Sequence, residues 1–191
     1  MSKNLIERKL SSEKVYAGEL LHVFKDKVQL PDGGLAGREW IKHPGASAIL
    51  PIFENGDVML VKQFRYPLSQ IFYEVPAGKI DQDEPPGITA VRELEEETGL
   101  ICEHISYVGH FHPAIGFTDE VIHFYVAWGL AESKQNVDAD EFVQLVRMPL
   151  YEVIAMIENG QITDGKTMAC IYRTLNWWDK HAPFALRTIA K

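Results

Sequence analysis

The sequence predicts an α+β protein: a small antiparallel β unit at the N-terminus, residues 1–45, followed by a larger domain, residues 46–191. Three observations carry this. Runs rich in β-branched and aromatic residues are separated by turn chemistry, first at Pro31-Asp32-Gly33-Gly34 and then at Glu54-Asn55-Gly56-Asp57. A helical pattern runs from Ile88 to Thr98 and stops at Gly99, where a helix C-terminus favours a residue tolerant of a left-handed backbone. Two more helical patterns, Leu150–Asn159 and about Thr163–Lys180, close the chain.

In order, residues 1–12 read as a loose or weakly helical lead-in. Lys14–Gly18 and Leu21–Leu30 read as strands, and Ala36–Lys42 as the strand returning from the glycine turn. A three-stranded unit without a helix is marginal alone, so it should pack on something else. After the bend His43-Pro44-Gly45, Ala46–Phe53 and Val58–Phe64 form a hairpin and Ile71–Val75 a further strand. In the helix that follows, Ile88, Val91 and Leu94 recur at spacings of three and suggest the buried stripe. Glu103–Phe111 and Glu120–Trp128 read as strands flanking a loop, Leu130–Asp140 as an acidic loop, and Phe142–Met148 as the last strand. Thr163 or Asp164 is placed to cap the final helix, with Met168, Ile171, Tyr172 and Leu175 on its apolar side.

The length of 191 residues is ample for a core, and 46% hydrophobic with 24% charged residues is ordinary for a globular protein. A net charge of −8 argues against a nucleic-acid surface, which needs a basic patch. Cys102 and Cys170 are too few for a disulfide framework and fit a reducing compartment. Met1–Leu10 is polar and charged rather than a signal peptide, and no apolar run approaches the ~20 residues of a membrane helix. A cytoplasmic location is the expectation.

The acids of the first helix stand out. Glu93, Glu96 and Glu97 project from roughly one flank, and like charges at that spacing cost about 0.2–0.5 kcal/mol per pair. A hard cation with oxygen ligands, above all Mg2+, would offset them. A solvated charged face is the plainer alternative for such a run.

The run sits in a longer pattern. Gly78, Glu84, Arg92, Glu93, Leu94, Glu96, Glu97, Gly99 and Leu100 fill every fixed place of G-x5-E-x7-R-E-U-x-E-E-x-G-U, where U is aliphatic. The stretch resembles the Nudix box of the Nudix hydrolases. The resemblance implies an α/β/α sandwich with a mixed sheet, and Mg2+-assisted hydrolysis of a nucleoside diphosphate linked to another moiety, with Mn2+ as the alternative ion. Glu93 and Glu97 are then the first metal ligands, Glu96 a ligand or a catalytic group, and the Ala77 carbonyl a family-implied addition. Arg92 reads as structural, holding a box carboxylate, and Glu84 as either a loop organiser or a ligand.

Further segments are similar to the ADP-ribose and nucleotide-sugar hydrolases of that family: Gln63-Phe64-Arg65-Tyr66, Glu74-Val75-Pro76-Ala77-Gly78 and Gly116-Phe117-Thr118-Asp119-Glu120. They imply substrate-binding roles for Arg65, as a phosphate fork, and for Glu74. A surface ion pair is the other reading of Arg65. Trp40 is open between stacking on a nucleobase and core packing. Asp138-Ala139-Asp140-Glu141-Phe142 is similar to the acidic D-x-D-E-F stretch that carries the family's general base, which makes Glu141 the candidate, with Asp140 and Asp138 as substitutes. The implied substrate is ADP-ribose, cleaved to AMP and ribose 5-phosphate. Ile115 stands where that group has proline, which leaves GDP-mannose or another nucleotide sugar open, and a non-catalytic nucleotide-sugar-binding protein is the rival from another class. The resemblance also implies a homodimer, with the N-terminal unit contributing to dimerisation and base binding.

Overall fold

The computed structural model describes residues 5–136, 142–181 and 184. The chain divides into two compact units. One takes the described part of residues 1–44 together with Ala114–Glu120, and the other takes 45–113 and the described part of 121–191.

In the first unit, strands β1 (Arg8–Ala17), β2 (His22–Gln29) and β3 (Leu35–Lys42) form an antiparallel sheet in that order. The expected turn joins β2 to β3: Leu30 N–H donates to the Gly34 carbonyl (2.8 Å) and Gly34 N–H to the Asp32 carboxylate (2.9 Å). The lead-in differs from expectation, because Arg8–Ser12 belong to β1 and pair with Lys27–Gln29 and Asp26. All ten residues of β1 are exposed, so its sequence carries no apolar alternation to announce a strand. The loop 114–120 closes on β3, with Ile41 N–H donating to the Phe117 carbonyl (2.8 Å) and His43 N–H to the Asp119 carboxylate (2.8 Å).

Among the described residues, the second unit holds two sheets, three α-helices and a short 3-10 turn at Tyr66–Leu68. Strands β4 (Ala46–Pro51), β7 (Ala77–Lys79), β8 (Leu100–Phe111) and β9 (Ile122–Glu132) form one sheet in the order β7-β4-β9-β8. It is mixed, because β4 and β9 run parallel while β7 and β8 pair antiparallel. Strands β5 (Asp57–Arg65), β6 (Gln70–Glu74) and β10 (Val143–Pro149) form an antiparallel sheet, β10-β5-β6. Helices α1 (Pro86–Thr98), α2 (Leu150–Glu158) and α3 (Gly165–His181) complete the unit. Strand β4 is buried on both faces, as a strand inside a layered fold must be. Ala48 and Leu50 join Phe124, Val126, Val153, Ile171 and Trp178 in the main core. Ile49 joins Ala90, Leu94, Leu100 and Ala127 beneath α1.

Two stripes are rotated from the sequence expectation. Ile88 is 58% exposed, and the buried residues of α1 are Thr89, Ala90, Glu93, Leu94, Glu97 and Thr98. Short Ala90 lets the helix lie close to the sheet, and that rotation carries two glutamates inward. On α3, Tyr172 is exposed and the buried face is Thr167, Cys170, Ile171, Thr174 and Trp178. Asp164 caps this helix, accepting from the Thr167 N–H (3.1 Å) and hydroxyl (2.6 Å). Strands β8 and β9 are longer than expected, from Leu100 and to Glu132, because they pair with each other along that length.

Candidate active site

The site is built where α1 crosses β7. Pro85 and Pro86 start the helix, and Gly99 ends it at φ 64°, its N–H on the Glu95 carbonyl (2.8 Å). Between them Glu93 and Glu97 lie buried, 8% and 4% exposed, on the flank facing Ala77–Gly78. The Ala77 N–H donates to the Glu97 carboxylate (3.1 Å). Glu93 occupies the space a side chain at Gly78 would need: a Cβ there would stand 1.8 Å from Glu93 Oε1. Glycine is required at 78 for this close approach.

Arg92 gathers the box. Its Nη1 donates to Glu93 (2.7 Å) and Glu96 (2.9 Å), and its Nε and Nη2 donate to Glu84 (3.1 and 3.0 Å). Glu84 also accepts from the Thr89 hydroxyl (2.7 Å). The Arg92 guanidinium, helped by that hydroxyl, pulls the Glu84 pKa down to about 2. The Arg92 pKa is raised in turn, first by its bonds to Glu84. The structural role expected for Arg92 is what its contacts describe, and Glu84 sits as an organiser of the loop before the helix.

A second charge cluster adjoins. Arg65, at the end of β5, grips Glu74, at the end of β6, through Nε and Nη2, both at 2.7 Å. Lys166 of α3 bonds the same carboxylate and also Asp164 (2.9 Å). Burial works to raise the Glu74 pKa, but Arg65 and Lys166 together outweigh it and hold the group below the ordinary carboxylate value. The Val75 N–H donates to the Thr167 hydroxyl (2.9 Å), so the start of α3 fixes the segment that leads into Ala77 and Gly78. Sequence reasoning missed Lys166. The available signal was a cation in the first turn of a helix, where the macrodipole disfavours it unless a carboxylate is close.

The chain after β9 returns to α1. Ser133 N–H donates to the Gly99 carbonyl (2.7 Å), Asn136 N–H to Glu96 O (3.0 Å), and the Gln135 amide to Glu97 O (2.6 Å). A cavity of ≈ 550 Å³ is lined by Ile88, Val91, Arg92, Glu95, Glu96, Lys134 and Asn136. The structure brings Glu93, Glu96, Glu97 and Ala77 to one place, with Arg65 and Glu74 near Glu97. Trp40 lies in the other unit, stacked on Phe24 (ring centres 5.0 Å apart). Glu141, Asp140 and Asp138 lie outside the described residues.

The donors present are carboxylate and main-chain oxygens, with no thiolate or imidazole among them, and this set fits a hard divalent cation. The fit is one of donor chemistry. Among the described residues no three His, Cys, Asp or Glu side chains are already gathered around a common point, and Arg92 lies between Glu93 and Glu96.

Buried acidic oxygens on a loop–helix, a guanidinium that organises them and a neighbouring arginine are the kinds of group that hydrolysis of a phosphoanhydride calls for. Comparison with known proteins agrees. The NUDIX domain matches residues 42–169 and the nucleoside diphosphate sugar hydrolase N-terminal domain matches residues 7–41. The chain is 37% identical over 171 residues to an ADP-ribose pyrophosphatase of Bacillus subtilis, covering 88% of this chain and 92% of that one. It is 39% identical over 173 residues to a methanol dehydrogenase activator of Bacillus methanolicus, covering 90% and 94%. A crystal structure of an ADP compounds hydrolase superposes with a TM-score of 0.82 at 19% identity, covering 93% of this chain and 97% of that one, and so shares the fold. The chain belongs to the Nudix hydrolases, in their nucleoside diphosphate sugar hydrolase branch. Enzymes of this family work with a divalent metal. Among the described residues no helix is long and apolar enough to cross a membrane.

Proposed function

We propose that the protein hydrolyses the pyrophosphate bond of ADP-ribose, giving AMP and ribose 5-phosphate, with Mg2+ as its working ion. The observation that carries this is the complete nine-position box with Glu93 and Glu97 turned inward beside Ala77–Gly78. The 37% identity to an ADP-ribose pyrophosphatase supports the choice of substrate.

In this reading Glu93, Glu96, Glu97 and the Ala77 carbonyl hold the ion. When bound, a divalent ion supplies an activated water and neutralises charge on the phosphate oxygens. The residues of the chain do the rest. Arg92 keeps the carboxylates apart and oriented, and Gly78 gives Glu93 its place. Arg65 meets a phosphate oxygen through Nη1, while Glu74 on its Nε and Nη2 fixes its direction and Lys166 holds Glu74, so the guanidinium is presented at little cost in ordering. Glu141 takes the proton of the attacking water, with Glu96 as the alternative group. Trp40 contributes to base binding, and two copies associate through their N-terminal units. The site of action is the cytoplasm.

The test is a panel of ADP-ribose, GDP-mannose and other nucleotide sugars assayed with Mg2+ or Mn2+, with the products separated. AMP and ribose 5-phosphate from ADP-ribose, at the highest kcat/KM of the panel and with Mg2+ sufficient, is the expected result. Preference for GDP-mannose would move the reading to the other nucleotide-sugar substrates, and no turnover of any would leave a binding protein.

A further inference from the structure

Away from the box, the end of the β8–β9 ladder where the connecting loop 112–121 leaves it carries three histidines. His110 and His123 are direct partners across the antiparallel pair. His112 follows His110 by two residues, the spacing that returns a side chain to the same face of an extended chain. The rings of His110 and His112 are 5.3 Å apart, centre to centre, and those of His110 and His123 are 6.4 Å apart. Both His110 and His112 are exposed. The Tyr107 hydroxyl lies 3.2 Å from His110 Nδ1.

We propose that His110 and His112 form a metal site apart from the box, a two-imidazole chelate for a borderline divalent transition ion of the Cu2+, Ni2+ or Zn2+ type. Two imidazole nitrogens held at about 2.0–2.1 Å from one tetrahedral ion place their ring centres about 5 Å apart. The 5.3 Å pair meets this within a few tenths of an ångström. His123 is more than 1 Å too distant from His110 to share the ion and serves as packing. The two rings now stand edge to face, at 83°, so binding requires the exposed rings to turn about their χ2 bonds, which are broad torsions. The Tyr107 hydroxyl occupies Nδ1 of His110 and so leaves Nε2 as the nitrogen that faces an ion. An outer partner on the second ring nitrogen is the usual companion of a ligating histidine. Water completes the coordination.

The donor chemistry separates this site from the box. Imidazole selects Cu2+, Ni2+ and Zn2+, whereas the carboxylates of Glu93, Glu96 and Glu97 suit Mg2+. The two sites therefore differ in the ion they prefer, and the proposal stands whether or not ADP-ribose is the substrate.

The test is a Cu2+ titration of the full-length protein in excess Mg2+, followed by electron paramagnetic resonance. One saturable equivalent with superhyperfine splitting from two nitrogens is expected. His110→Gln should weaken binding at least tenfold, and His112→Gln should reduce the splitting to that of one nitrogen. Both are surface changes, and an unchanged thermal transition without copper will show that the fold is intact. Glu97→Gln should leave the copper signal as it is. The absence of saturable binding, an unchanged signal in His110→Gln, or loss of the signal in Glu97→Gln would each overturn the proposal, the last by placing the ion in the box.

Discussion

Gly78→Ala tests the contact on which the box is built. The added methyl would sit 1.8 Å from Glu93 Oε1 and 2.1 Å from Cδ, against an ordinary separation of about 3.5 Å, so the carboxylate must withdraw by about 1.5 Å. Withdrawal breaks the 2.7 Å bond from Arg92 Nη1 to a carboxylate that is otherwise buried. Overpacking costs about 1–3 kcal/mol, which for a chain of this length lowers the melting temperature by about 2–4 °C per kcal/mol. Activity should suffer more. A displacement of about 1 Å at a positioning group costs about 10²-fold in rate, so the variant should turn over ADP-ribose at about a hundredth of the wild-type kcat or less. The double variant Gly78→Ala/Glu93→Ala separates the two effects. Removing the carboxylate removes the clash, so the pair should recover about 1 kcal/mol or more relative to additivity in urea unfolding, with activity still absent. If Gly78→Ala alone keeps its stability within about 0.5 kcal/mol and its kcat within threefold, Glu93 is not held against Gly78.

Two pairs of charges, one acidic stretch and one surface give further expectations. Lys166→Met should raise the KM for ADP-ribose several-fold with a smaller loss in kcat, because Glu74 then draws on Arg65 alone; Lys166→Arg should rescue most of it, and equal losses in kcat and kcat/KM would place Lys166 elsewhere in the mechanism. Glu84 has a folded-state pKa of about 2 against an ordinary 4.5, so its contribution to stability is present above pH 4.5 and is lost as the pH falls towards 2. Melting temperatures of wild type and Glu84→Gln should therefore differ at pH 7 and converge between pH 4.5 and 2. Glu141→Gln should lower kcat by about 10²–10⁴-fold with little change in KM, and Asp140→Asn should cost less; steady-state kinetics at saturating Mg2+ decide between them. Light scattering should return twice the 21.7 kDa of one chain, since β1 presents Leu10, Val15 and Tyr16 to the surface, and a monomer at micromolar concentration would exclude the dimer.

The fold was legible where local chemistry and tertiary demand agree. The turn at Pro31–Gly34, the Asn55-Gly56 hairpin and the stop at Gly99 are each fixed by residues within a few positions, and each stands where the sequence places it. The second half of strand β1 was read from Lys14 on, but Arg8–Ser12 was not legible, because these residues are all exposed and their partners lie as many as 21 positions away, at Arg8↔Gln29. Periodicity also misled at α1. The apolar spacing of Ile88, Val91 and Leu94 is real, but hydrophobic burial alone does not decide which face of this helix turns inward.

What decides it is the acid pair. Glu93 and Glu97 are among the most expensive side chains to bury, yet they lie inside while Ile88 stays 58% exposed. A sequence reader who weighs burial by hydrophobicity must rotate the helix the wrong way. The inward face is made tolerable by particular donors: Arg92 for Glu93, and the Ala77 N–H for Glu97. One of these is a side chain on the same helix, visible in the motif. The other is a main-chain group on β7, which no residue type reports. The same holds for Lys166, whose partner Glu74 is 92 positions earlier and meets it only after β6 and α3 have packed. The box could thus be recognised from its letters, while the inward placement of Glu93 and Glu97 depends on a glycine with no side chain and a backbone N–H, and the adjoining Arg65–Glu74 pair on a lysine from the last helix.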